Sequence, residues 1–227
     1  MFLPLHDRNP IRHISFPYVN YGLIAVTVIV FLVQSVLPQA QWDGLVLGFG
    51  MIPVVVRDLY PAPVGWLPDQ STLFTYAFLH ADWLHLLSNM LFLWVFGDNI
   101  EDALGHVRYL VFYMLCAAAA ALVHLAFNSD AYGPLIGASG AVAGVMGAYL
   151  MLFPHARVYV LFRLVIPIPL PVPAVWMLAV WIGTQVFYLV IGSEDPVAWW
   201  AHLGGILAGG LLAVPLKRRG VILFGGR

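Results

Sequence analysis

The chain has 227 residues, 62% of them hydrophobic and 9% charged, with a formal net charge of −1 and a mean hydropathy of +0.89. Soluble domains carry about 25% charged residues, so this surface is too poor in charge to be solvated all round. The composition excludes an ordinary soluble domain and speaks against nucleic acid as a partner, while the single cysteine, Cys116, excludes an intramolecular disulfide.

Taken in order, residues 1–18 hold His6, Asp7, Arg8, Arg12 and several prolines. They do not read as a signal peptide and are expected to form a cytoplasmic segment, leaving the first span to direct insertion. Six apolar stretches follow, at 19–37, 79–96, 107–127, 139–153, 172–191 and 199–216. A crossing helix needs about 20 apolar residues, so the expectation is an all-α membrane protein whose six-span domain covers 19–216, with a basic cytoplasmic tail at 217–227. The fourth stretch is short for a full crossing. It suits a helix that starts below the membrane surface, where neighbouring helices or water must surround the non-helical backbone.

The longest connection, 38–75, carries Trp42, Trp66 and several prolines, and is expected to lie partly in the membrane interface, where Trp is favoured. The connection 154–173 includes Pro167, Pro169, Pro171 and Pro173 and reads as an extended cytoplasmic segment, because proline interrupts helical hydrogen bonding. Six spans place Arg8, Arg12, Arg108, Arg157, Arg163, Lys217, Arg218, Arg219 and Arg227 on one side and only Arg57 on the other. The cytoplasmic side carries the excess of Lys and Arg, so both termini are expected there. The start of the fourth span and the start of the sixth then both lie toward the outer face.

Ionisable residues inside a span are costly and mark candidate sites. His80, His85 and His202 qualify, together with Asn89, which shares a helix face with His85 four positions earlier. Ser139 stands at the mouth of the fourth span in Gly137-Ala138-Ser139-Gly140. A serine hydroxyl is a weak nucleophile until a base takes its proton, and histidine is suited to that role. Ser139 and His202 are therefore paired as nucleophile and general base. No acid lies near His202 within its span, so a dyad without a carboxylate partner is expected, and Glu194 and Asp195 read as loop residues. Unpaired N–H groups at the start of the fourth helix, with His85 and Asn89, are candidate oxyanion donors. Gly140, Gly144 and Gly147 on the fourth span, and Ala201, Gly205, Ala208 and Gly209 on the sixth, would let the two backbones approach closely. Ligand type alone would allow a metal on His80, His85 and His202. No His-Glu-x-x-His motif or nearby carboxylate accompanies them, and neither metal nor cofactor is expected.

These residues resemble the rhomboid family of intramembrane serine proteases. The likeness rests on Gly137-Ala138-Ser139-Gly140, on Ala201-His202-Leu203-Gly204-Gly205, and on His80-x4-His85-x3-Asn89. Gly97-x3-Glu101-x3-Gly105 and the opening Pro4-Leu5-His6-Asp7-Arg8-Asn9-Pro10 are also similar to family segments. The resemblance implies Ser139 as nucleophile, His202 as base, and His85 and Asn89 as oxyanion donors. It implies a mainly structural His80, and a Glu101 that ties the cytoplasmic ends of spans two and three. Single-pass or other membrane proteins are the implied substrates, cut near the outer face after a small residue, with membrane lipid as surroundings. A bacterial cell membrane is the expected location. Two positions depart from the pattern: Ala143 stands where many members have an aromatic residue, and Ser71-Thr72 where many have Trp-Arg. Two other readings compete with this one, a catalytically inactive relative that binds membrane proteins and a small transporter using intramembrane histidines. Both candidate catalytic residues are present, which disfavours the first; paired intramembrane acids and an inverted repeat are lacking, which disfavours the second.

Overall fold

Strand β1 (Phe2–Asp7) leads into α1 (Tyr18–Ser35), α2 (Gln39–Phe49) and a short α3 (Pro53–Val56). A 3-10 turn (Asp69–Ser71), α4 (Thr72–Thr75) and a second 3-10 turn (Tyr76–Phe78) precede α5 (Trp83–Leu104), α6 (His106–Phe127) and α7 (Ser139–Leu152). Strands β2 (Arg157–Phe162) and β3 (Pro169–Pro173) then lead to α8 (Ala174–Ile191) and α9 (Trp199–Leu216). The computed structural model describes residues 2–162, 168–192 and 197–225; the expectations for Arg163, Pro167, Glu194, Asp195 and Arg227 fall outside them.

The protein is a mostly helical integral membrane protein. Helices α1, α6, α8 and α9 are each long and apolar enough to cross a bilayer. Helix α5 has 22 residues but ends in Asp98, Glu101 and Asp102, and α7 has only 14. Such a helix is about 21 Å long, against a hydrocarbon core of about 30 Å. Every residue of α7 from Gly140 to Tyr149 is buried. It is the central helix, wrapped by α5, α6 and α9, and its lack of a polar face follows from that position.

Local chemistry sets the limits of α5. It begins at Trp83 rather than Leu79 because Asp82 caps it, accepting from the His85 amide at 2.8 Å. It continues past the apolar stretch because its last acids have partners. Fully buried Glu101 accepts from the amides of Val19 and Asn20 at 3.0 and 2.7 Å. Asp102 accepts from the amides of Arg12, His13 and Ile14 at 3.0, 2.6 and 2.9 Å. These donors precede or open α1, where amides have no helical acceptor. Glu101 also pairs with His106 Nδ1, at the first residue of α6. One carboxylate thus joins three helices, α1 as well as the two that the sequence pointed to. Gly105, at φ +89°, makes the turn from α5 to α6, a backbone conformation that a side chain would strain.

Beneath the helices, the N-terminal segment and the connection that the sequence reads as extended form an antiparallel sheet in the order β1-β2-β3. Val158 and Val160 are buried while Arg157 is exposed, the alternation of a strand with one covered face. The prolines at 169, 171 and 173 occupy every second position of β3, an outer strand, where a missing N–H breaks no ladder. The connection 38–75 is itself structured. It holds α2, α3 and α4, and the Trp66 indole packs so closely on Gly48 that an added Cβ would stand 2.6 Å from it.

Candidate active site

The turn before α7 is held from several directions. Leu135 and Met51 exchange backbone bonds of 2.8 and 3.1 Å, Gly137 N donates to Tyr76 O at 3.0 Å, and Ala138 N to His80 Nε2 at 3.4 Å. Gly137 has φ +117°, and a Cβ on it would stand 2.6 Å from both Cε1 and Nε2 of His85. Only glycine fits there, and the His85 imidazole lies directly on the turn that delivers Ser139. Ser139 is the first residue of α7 and is half-buried. The bond from Val142 N to Ala138 O, 2.9 Å, is the first to close α7, so the amides of Ser139, Gly140 and Ala141 precede any intrahelical acceptor.

His202 occupies the first turn of α9 and is buried. Its Nδ1 lies 2.7 Å from Gln185 Oε1 on α8. The Gln185 amide has a defined orientation, because its Nε2 donates to Trp181 O at 3.1 Å and lies 3.2 Å from Thr184 Oγ1. The oxygen therefore faces the imidazole. A carbonyl oxygen only accepts, so Nδ1 carries the proton and Nε2 is left unprotonated. Trp181 lies against the His202 ring at 5.8 Å between centroids, and Trp199 meets it edge-on at 6.0 Å.

Glycines bring α7 and α9 together. A Cβ on Gly205 would run into Gly140 O and come within 3.3 Å of Ala143 Cβ, and one on Gly209 would run into Gly144 O. Gly140 and Ala201, the neighbours of the two candidate catalytic residues, face each other, with Ala201 O 3.6 Å from a Cβ built on Gly140. The first turns of both helices are thus side by side. Among the described residues no hydrogen bond joins Ser139 Oγ to His202, whose Nδ1 is held by Gln185.

His85 and Asn89 share one face of α5 as expected. Asn89 Nδ2 donates to His85 O at 3.0 Å and lies 3.2 Å from His80 Nε2, and the His80 and His85 rings are 4.9 Å apart. His80 stands before α5 and is wholly buried. It accepts from Ala138 N, and its backbone pairs with the Gln34 side chain at 3.3 and 3.5 Å, which links α1 to the turn before Ser139. No group of three His, Cys, Asp or Glu side chains among the described residues is placed to hold a metal ion.

Gln185 and Trp181 are the site residues that sequence reasoning missed. A search for ionisable groups in spans passes over an amide, yet a buried amide among apolar residues needs partners for the same reason. Ala143 has a spatial explanation: α9 lies against it at Gly205, and the imidazole takes its aromatic contacts from Trp181 on α8 and Trp199 on α9.

A Rhomboid domain model matches residues 68–219. Rhomboid protein 1, mitochondrial, of Saccharomyces cerevisiae is 38% identical over 137 residues, which cover 59% of this chain and 38% of the yeast protein. RHOMBOID-like protein 12, mitochondrial, of Arabidopsis thaliana is 34% identical over 150 residues, covering 59% of this chain and 43% of the plant protein. Rhomboid protease GlpG of Klebsiella pneumoniae is 25% identical over 203 residues, covering 88% of this chain and 63% of that protein. The chain spans less than two thirds of the length of each of these relatives.

Proposed function

The chain belongs to the rhomboid family, and from that premise we propose that it is an intramembrane serine endopeptidase acting on membrane proteins. The observation that carries this reading is the glycine contact of α7 with α9, which sets the start of one helix beside an amide-anchored imidazole on the other. Ser139 Oγ attacks the scissile carbonyl while His202 Nε2 takes its proton. The same nitrogen then gives the proton to the leaving amine, and a water, activated in turn, hydrolyses the acyl-enzyme. The oxyanion is held by the free amides at the start of α7, by His85, and by Asn89 once its amide leaves His80. Gln185 keeps Nδ1 protonated and supports the imidazolium that forms. Hydrogen bonds of this kind are often loose without substrate and tighten as the reaction complex assembles.

The architecture that goes with this reading has six crossings within 19–216, α5 and the short α7 completing the set, a segment 1–18 and a basic tail 217–227. Both ends lie on the cytoplasmic side and Ser139 opens toward the outer face, where a small residue of the substrate precedes the cut. A bacterial cell membrane suits this arrangement. Two of the relatives are named as mitochondrial, and the charge argument runs the same way in an inner mitochondrial membrane.

The test is cleavage of a single-span substrate with a helix-weakening segment, in proteoliposomes. Cleavage is expected with the native chain and none with Ser139→Ala, and a fluorophosphonate is expected to label Ser139 alone. A chain that captures substrate but neither cuts it nor takes the label would be an inactive binder, and undiminished cleavage by Ser139→Ala would end the dyad proposal.

A further inference from the structure

Far from Ser139, a cavity of about 590 Å³ opens between the α5–α6 turn and the segment after α9. It is an open hollow rather than an enclosed pocket. Its polar lining is all basic: His106, Arg108, Arg218 and Arg219, with no carboxylate. Among the described residues none of the three arginines is in an ion pair. The nearby acid, Glu101, is buried and turned inward onto the amides of Val19 and Asn20 and onto His106 Nδ1. Arg218 lies over Gly105, its Nη2 2.9 Å from a Cβ built there, and its Nε is buried without a hydrogen-bond partner. Among the described residues Arg108 reaches only Leu216 O, at 3.4 Å. The first turn of α6 adds amides without helical acceptors, since its ladder begins with Tyr109 N to Gly105 O.

We propose that this cavity holds the phosphate headgroup of an anionic glycerophospholipid from the adjoining leaflet. The apolar surroundings select a lipid over a free phosphate. Val107 at the rim is 77% exposed, Leu110 and Val111 continue that surface along α6, and Leu211 and Val214 are exposed along α9. The headgroup sits among the arginines while its acyl chains lie along these two helices. An excess of arginine on one side of a membrane protein requires only that they be on that side. It does not require three of them, without acidic partners, around one hollow. Basic pockets between helices at the cytoplasmic surface are the form that anionic headgroup sites take.

The test is native mass spectrometry of the purified chain in a neutral detergent, doped with phosphatidylglycerol or phosphatidylcholine, together with thermal unfolding. Phosphatidylglycerol is expected to stay bound at collision energies that strip phosphatidylcholine, and to raise the unfolding temperature. Arg108→Gln combined with Arg219→Gln, both at exposed side chains, should weaken that retention at least tenfold while leaving lipid-free unfolding unchanged. Arg218→Gln is a poorer probe, because that side chain also packs on the α5–α6 turn. Equal retention of the two lipids, undiminished retention in the double variant, or the same stabilisation by inorganic phosphate alone would each overturn the proposal. None of these readouts depends on proteolysis.

Discussion

At the scale of single residues, the His202–Gln185 bond occupies Nδ1 and leaves Nε2 as the nitrogen that the proposed dyad would use. In the proposed mechanism it becomes charge-assisted when His202 takes the proton, and such bonds are worth about 1.5–3 kcal/mol, or roughly 10- to 150-fold in rate. Gln185→Leu should therefore lower kcat/KM by about that factor with little change in unfolding temperature. Gln185→Glu, which still offers an oxygen, should recover most of it; equal loss in both variants would mean that Gln185 only fills space. Removing one oxyanion donor costs about 100- to 1,000-fold in kcat, so His85→Ala should fall in that range in a cleavage assay. Asn89→Ala should cost less stability than His80→Ala, since the buried His80 ring also accepts from the Ala138 amide in the turn before Ser139, whereas its bonds to Gln34 are made by the backbone and survive the substitution.

At the scale of elements, the proposed dyad depends on how closely α7 and α9 lie. Gly205 has no room for a side chain against Gly140 O, and a displacement of about 1 Å in a catalytic group can cost ~100-fold. Gly205→Leu is expected to insert into the membrane and lose activity by at least that factor. Full activity in this variant would refute the helix contact as the source of the site. At the other end of the bundle, Glu101→Ala would strand two amides at the start of α1 and the ring of His106. Hydrogen bonds to a charged group contribute about 1.5–3 kcal/mol each, so a loss of several kcal/mol is expected in equilibrium unfolding, with Ser139 labelling intact at low temperature.

At the scale of the whole molecule, β1 is docked beneath the helices through Asp7, which accepts a hydrogen bond from Tyr149 at the far end of α7. Burial raises the Asp7 carboxyl from 3.8 to about 7; the Tyr149 bond pulls it down, and the charge of Asp98 pushes it further up. The folded protein thus binds this proton more tightly than the unfolded chain. The contribution is complete below pH 3.8 and is lost as the pH rises through about 7. Thermal stability should accordingly decline over that interval, and Asp7→Asn should flatten the decline. An unchanged pH profile in Asp7→Asn would place the titration elsewhere.

The sequence alone determined the membrane character, the apolar stretches and the candidates Ser139, His202, His85 and Asn89. Apolar run length and polar residues within apolar runs are local properties, readable without coordinates. The small-residue stripes on 139–153 and 199–216 were legible for the same reason, and they are the surfaces that meet. The connection at 154–173 was legible as extended chain, but its pairing was hidden, because β1 joins β2 across more than 150 positions, as from Pro4 to Val160. Gln185 was hidden because an amide in an apolar run declares no role until a partner is in reach. Only tertiary structure brought α8 against α9, turned the Gln185 oxygen toward His202, and gathered arginines from α6 and the segment after α9 around one cavity. Those juxtapositions join residues distant in sequence, and nothing in the local chain encodes the angle at which two helices pack.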